Sequence, residues 1–184
     1  LDLSSFYFDI RKDVLYCDSL NSQKRKNCVV VLNIILESLL KWFAPILVFT
    51  TDEIYSLINK NEKNIHEHLF VKVPKSWENN KLNDKWDELF KIKQEANIAI
   101  EAKRSSKEIG SSLEAEIKLS VNQNQFELLK NLDLAEYFIT SKAEKILSKN
   151  EKMKIVVNKA TGNKCQRCWK ILEKKCERSE CPIN

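Results

Sequence analysis

Only two of the 184 residues are glycine, Gly110 and Gly162, and they stand 52 positions apart. A Walker-type phosphate loop or a dinucleotide fingerprint needs several glycines within a few residues, so that backbone can close on a phosphate. Neither can be built here. The chain begins at Leu1 and reads as a fragment or processed product of a longer protein, so catalytic parts are expected to lie elsewhere.

Up to Gly110 the apolar residues recur at helical spacing. Leu3, Phe6, Tyr7, Ile10, Val14 and Cys17 mark a first helix. A second is expected from about Ser22 to Ala44, carrying Val29, Leu32, Ile35, Leu36, Leu39, Leu40 and Phe43, and Pro45 should end it. Thr50 with Glu53 is a capping-box pattern that predicts the start of a third helix. A polar stretch holds His66 and His68, expected as surface loop residues, and Leu69–Val73 looks extended. A long helix is expected from about Leu82 to Lys107, with Gly110 taking a left-handed conformation just past its end. Such faces are not stable alone in water, and packing them together as a bundle is the simplest solution.

After Gly110 the period becomes two. Ala115, Ile117, Leu119 and Val121 alternate with Glu114, Glu116, Lys118 and Ser120, as in a half-buried strand. A short helix at about Gln123–Asn131 and extended runs at Tyr137–Ile139 and Met153–Val157 complete a small α/β unit. The expected organisation is mainly α: a helical bundle over 1–109, a junction unit over 110–160 and a knuckle over 161–184.

The knuckle carries the chemistry. Cys165, Cys168, Cys176 and Cys181 form a Cys-x2-Cys and a Cys-x4-Cys pair separated by seven residues. Without a secretory signal, clustered cysteines favour metal over disulfides. Four thiolates suit one tetrahedral zinc ion, and a closed four-sulfur site is structural because it has no open position for water or substrate. An iron–sulfur cluster stays open as an alternative, although ferredoxin spacing is denser. Cys17 and Cys28 lie in helical patterns and are expected as buried thiols.

Charge is uneven: residues 1–140 hold 19 Lys/Arg and 21 Asp/Glu, residues 141–184 hold 12 and 5. The resulting +7 suggests a polyanion partner, or simply a solvated lysine-rich tail. Lys164, Arg167 and Lys170 surround the first cysteine pair and are candidates for phosphate contact. Trp169 could stack on a base or cover the metal site as a small core. No apolar run approaches the roughly 20 residues that span a bilayer.

Several segments resemble one family. Asp2-Leu3-Ser4-Ser5-Phe6-Tyr7-Phe8-Asp9-Ile10-Arg11-Lys12-Asp13, Trp42-Phe43-Ala44-Pro45-Ile46-Leu47, Trp86-Asp87-Glu88-Leu89, Lys107-Glu108-Ile109-Gly110-Ser111-Ser112-Leu113-Glu114-Ala115 and the Cys165–Trp169 turn are similar, in order, to the anticodon-binding bundle and terminal zinc module of bacterial isoleucyl-tRNA synthetases. The bundle is shared with valyl and leucyl enzymes; the Gly110 segment with the terminal cysteines points to the isoleucyl member. Two departures stand out. The family's second cysteine pair is usually Cys-x2-Cys after a longer loop, and Lys93 stands where an arginine is usual.

The resemblance implies a class Ia anticodon-binding architecture and a cytoplasmic, monomeric parent ligase. That parent would activate isoleucine with ATP and Mg2+ and transfer it to its tRNA. The HIGH and KMSKS motifs and the editing domain of that family are absent from these residues, so this chain would grip the anticodon arm and not catalyse. Arg11, Lys12, Lys164, Arg167, Trp169 and Lys170 become candidate RNA contacts, and zinc on the four cysteines the structural cofactor. Two other readings remain at this point: a zinc-finger fragment of a glycosylase-like DNA repair protein, and a zinc-containing protein-interaction module.

Overall fold

Helix formation begins at once. Asp2–Phe8 is a π-helical segment that continues into α1, Asp9–Cys17, which buries Ile10, Val14 and Cys17 at spacings of four and three. The computed structural model of the chain describes residues 2–60, 64–148 and 152–178. Two compact units divide it: Leu1–Ser19 with Asn79–Asn184, and Leu20–Glu78.

In the first unit, α4 spans Asn80–Ser105. The Asn79 side chain accepts from the Leu82 amide and satisfies one of the orphan donors at the helix start. Its inward face carries Leu89, Ile92, Lys93, Ala96 and Ile100. The left-handed residue after the helix is Lys107 (φ 60°), not Gly110 as expected. Gly110 has an ordinary φ, and its amide donates to Glu114 Oε2 at 2.9 Å. The chain has therefore already turned when it reaches the glycine.

Strand β1, Ala115–Val121, keeps the expected alternation: Ala115, Ile117, Leu119 and Val121 are fully buried and the residues between them half-buried. Helix α5, Gln123–Leu128, opens with an Asn122/Gln125 capping box. Tyr137–Ile139 is not extended. It closes helix α6, Leu134–Phe138, because Asp133 caps the Glu136 amide and Ile139 turns left-handed at φ 57°. Strand β2, Lys142–Leu147, pairs with β1 in parallel, and β3, Lys154–Lys159, pairs with β1 antiparallel. A parallel pair needs a crossover, and α5 with α6 supplies it.

The order β2-β1-β3 puts the most apolar strand in the centre. One core gathers Ile10 of α1, Leu89, Ile92, Ala96 and Ile100 of α4, all of inner β1, Tyr137 and Phe138 of α6, and Val157 of β3. Each large side chain in it contributes about 1.5–3 kcal/mol by leaving water. This core runs continuously past residue 109, because α4 needs the sheet to cover its apolar face.

Two-residue strands β4, Asn163–Lys164, and β5, Ile171–Leu172, then frame the cysteine turn as an antiparallel pair. Gly162 precedes them at φ 124°, where an added Cβ would lie 2.2 Å from the Leu172 carbonyl oxygen. That approach is closed to any side chain.

The second unit pairs α2, Gln23–Phe43, with α3, Val48–Ile58. Ser22 caps α2 by accepting from the Arg25 amide. The Thr50 capping box does not form: α3 starts two residues earlier, and the Thr51 hydroxyl donates back to the Leu47 carbonyl at 2.8 Å. Leu69–Val73 forms no strand; a single helical turn at Ile65–Glu67 precedes it. The buried hydrophobic cluster here is small: Leu40, Ala44, Tyr55 and Ile65.

Candidate metal centre and its cationic surroundings

The β4–β5 frame is what shapes the knuckle. The Cys165 amide donates to the Lys170 carbonyl and the Trp169 amide to the Cys165 carbonyl, both at 2.9 Å. The turn is tight enough to force Trp169 into φ 61°, an uncommon conformation for a non-glycine residue. Cys165 and Cys168 are thereby buried on one side, and the later chain brings Cys176 to them.

The sulfurs of Cys165, Cys168 and Cys176 all lie within 4.8 Å of one another. A tetrahedral zinc–thiolate site, with Zn–S near 2.3 Å, sets sulfurs roughly 3.8 Å apart. The three sulfurs thus fit a metal ion after small side-chain shifts. Burial, and the neighbouring Cys165 and Cys176 sulfurs, push the Cys168 thiol up to about 12 when no cation offsets them. A divalent ion is the charge that reverses this and favours thiolate. Cys181, the expected fourth ligand, lies outside the described residues. Cys17 packs against Cys165 and Cys168, and its thiol donates to the Arg167 carbonyl at 3.7 Å. Cys28 is buried on α2, outside this cluster.

The expected RNA contacts are largely engaged with protein. Arg11 bridges to Glu136 of α6 and Lys12 to Asp9, both at 2.7 Å. Lys164 lies 3.9 Å from Glu114. Arg167 donates to the Tyr16 carbonyl at 3.0 and 3.4 Å. Lys170 is 3.5 Å from Asp13 and mostly covered. Trp169, in contrast, is 60% exposed, too open to serve as a core for the knuckle. A cleft of about 460 Å³ is lined by Lys170, Lys174, Lys175 and Arg178 together with Glu173 and Glu177.

The pairing of Arg178 and the burial of Lys93 have no counterpart in the sequence reading. Arg178 makes a two-pronged pair with Asp13, at 2.7 and 2.5 Å, and also reaches Asp18 at 3.3 Å. Burial alone would raise the Asp13 carboxyl, but Arg178 and Lys170 outweigh it and hold it below its ordinary value. The acidic residues at the end of α1 were the available signal, but nothing local pairs them with a cation 165 positions away. Lys93 is buried on the inner face of α4, donates to the Tyr137 carbonyl and lies 5.6 and 5.0 Å from the Phe6 and Tyr137 ring centres. Burial lowers its pKa to about 8. Of the histidines, His68 stands against Tyr55, its Nε2 3.2 Å from the hydroxyl.

Residues 1–119, from α1 through most of β1, match the family described as the anticodon-binding domain of tRNA ligase, and the chain belongs to that family. Curated isoleucine–tRNA ligases are similar along nearly its whole length. The protein of Pelagibacter ubique is 59% identical over 97% of this chain. That of Methylacidiphilum infernorum is 41% identical over 93%, and that of Bradyrhizobium diazoefficiens 38% over 98%. The chain spans about a fifth of the length of these relatives, 18–20% of each. No described helix is long and apolar enough to cross a membrane.

Proposed function

We propose that the chain is the tRNA-gripping part of an isoleucine–tRNA ligase, and that it binds the anticodon arm of isoleucine tRNA. The observation that carries this reading is the exposed indole of Trp169, held beside a buried sulfur cluster in a chain of the anticodon-binding family. Unpaired anticodon bases are the part of a tRNA that a side chain can stack upon, and a rigid turn lowers the entropy cost of presenting one. Lys174 and Lys175 join Lys164, Arg167 and Lys170 as the phosphate-attracting surface. Arg11 and Lys12, tied to Glu136 and Asp9, act on RNA through the field of α1 more than by direct contact.

The ion held by Cys165, Cys168 and Cys176, with Cys181 completing the set, is zinc in this reading. It supplies no reaction step, only the rigidity of the turn. In functional terms residues 1–109 form the anticodon-binding segment, 110–160 the junction and 161–184 the knuckle. The complete ligase would be cytoplasmic and monomeric. It would activate isoleucine with ATP and Mg2+ in its remaining four-fifths and charge its tRNA there, with this chain holding the far end.

Filter binding of the chain to an isoleucine tRNA transcript, a non-cognate tRNA and a DNA hairpin of equal charge, at several salt concentrations, tests the proposal. The cognate transcript should bind more tightly than both controls, and all three should weaken as salt rises because counterions are released on association. Equal affinity for RNA and DNA would overturn it. The DNA-repair alternative would instead show preference for the hairpin.

A further inference from the structure

The end of α1 is unusual in its charge. Helix C-termini leave carbonyls unpaired and attract cations, yet α1 has no basic residue in its last turn. It carries Asp13 and is followed by Asp18. The cations come from the knuckle. Arg167 binds the Tyr16 carbonyl, and Arg178 spans Asp13 and Asp18. Lys170 closes on Asp13 Oδ2 at 3.5 Å, and the Cys17 thiol donates to the Arg167 carbonyl. These contacts reach residues on both sides of Cys168 and Trp169, so they fix the orientation of the turn and not merely its attachment.

We propose that Asp13 is a positioning residue for RNA recognition: by holding Arg178 and Lys170 together, it fixes the sulfur knuckle on the end of α1 and sets the direction in which Trp169 is presented. The inference rests on the proposed stacking role of Trp169. Asp13 collects three of the contacts and is only 21% exposed in its side chain, so water replaces it poorly. A metal ion ties the sulfurs to one another but does not orient the knuckle on α1. Arg167 on the Tyr16 carbonyl and the Ile171 amide on Ser141 Oγ attach it at two points, and the Asp13 contacts add the charged clamp that fixes its direction. A misdirected indole would lose stacking even with every ligand intact.

A double-mutant cycle with Asp13→Asn and Trp169→Ala tests this, using the zinc-loaded chain and an isoleucine tRNA anticodon stem-loop as probe. Trp169→Ala should weaken binding about tenfold, the loss of one stacked base. Asp13→Asn should weaken it by a similar factor with tryptophan present and by less than twofold in the Trp169→Ala background. Asp13→Glu, which keeps the charge, should stay within about threefold of the parent chain. Zinc content, measured with a chromophoric chelator, should remain one ion per chain in all variants.

Multiplicative losses in the double variant would overturn the inference, because they assign Asp13 an effect independent of the indole. Zinc loss in Asp13→Asn would overturn it too, by making the carboxylate a support of the metal site. If Trp169→Ala itself binds like the parent, the stacking reading fails and takes the inference with it. If only Asp13→Asn is silent, stacking stands and the inference alone falls.

Discussion

The two units reach stability by different means. The unit containing β1 gathers helices, a central strand and an edge strand around one continuous core, and its interior residues Leu89, Ala96, Ala115, Ile117, Leu119 and Val121 retain no exposure at all. The Leu20–Glu78 unit has two helices that are more apolar than α1 and α4, yet its buried hydrophobic cluster among the described residues has only four members. Trp42, Phe43, Ile46, Leu47 and Phe49 remain exposed there, Phe49 at 89%. Two helices can each offer only one face to the other, whereas a sheet offers a flat surface that several elements can cover at once. Helical periodicity in sequence therefore announces an apolar face without saying how much of it will be buried.

Four experiments break or sharpen this contrast. The largest effect is expected at the knuckle, which has little core of its own. Zinc binding to comparable modules contributes on the order of 10 kcal/mol. Chelation, or Cys165→Ser, should abolish metal binding and open the knuckle, seen as loss of amide protection over β4 and β5. The α2 and α3 amides should be unaffected; their loss would show that the units are not energetically separate.

Core truncation comes next. Leu89→Ala should cost about 3–4 kcal/mol because its site is sealed by packed neighbours. Leu40→Ala should cost nearer 2 kcal/mol, since the smaller cluster can relax toward solvent. Chemical denaturation followed by hydrogen exchange would assign each loss to its unit. Equal costs would erase the distinction.

The third experiment is a pH series. Lys93 is charged in the unfolded chain up to about pH 10.5 but gives up its proton near pH 8 in the folded one. Between these values the unfolded state binds more protons, so stability should rise with pH, by up to about 3 kcal/mol. Below about pH 8 the lysine is charged in both states and this contribution is flat. Lys93→Met should remove this contribution from denaturation midpoints measured from pH 7.5 to 10.5, and none of the described lysines of the other unit is buried.

The smallest effects separate the two glycines. Gly162→Ala meets the Leu172 carbonyl at 2.2 Å and a φ of 124°, and should cost about 2 kcal/mol. Gly110→Ala meets only the flexible Glu114 side chain at 3.5 Å, and should change thermal stability by less than about 0.5 kcal/mol.

Those glycines also show what the sequence could and could not reveal. Gly110 follows a helix, where a left-handed cap is expected, but Lys107 already takes that conformation. Tyr137–Ile139 looked extended because three bulky residues in a row suit a strand; Asp133, four residues earlier, decides the matter by capping a short helix. Strand β2 escaped notice because it lies at an edge, with its side chains only partly covered, so its alternation is diluted by lysines. Strand β1 was legible because it is central and its inner face is wholly dry.

At the site, the sulfur cluster was legible from spacing alone, because a metal turn is a local object. The cations around it were visible as charges but not as pairs. Arg11 finds Glu136, Arg167 finds Tyr16 and Arg178 finds Asp13 across 125, 151 and 165 positions. Sequence proximity carries no trace of such partners, and a lysine or arginine reads the same whether it meets water, a carboxylate or RNA.

The distance between Asp13 and Arg178 has a consequence during translation. At about 5–20 residues per second, the 165 intervening positions take roughly 8–33 s to emerge from the ribosome. For that interval the first helix waits with its acids unanswered, while the Leu20–Glu78 helices, complete much earlier, can already associate. Nascent α1 is thus a held-open end, closed only once Arg178 has been made and folded back.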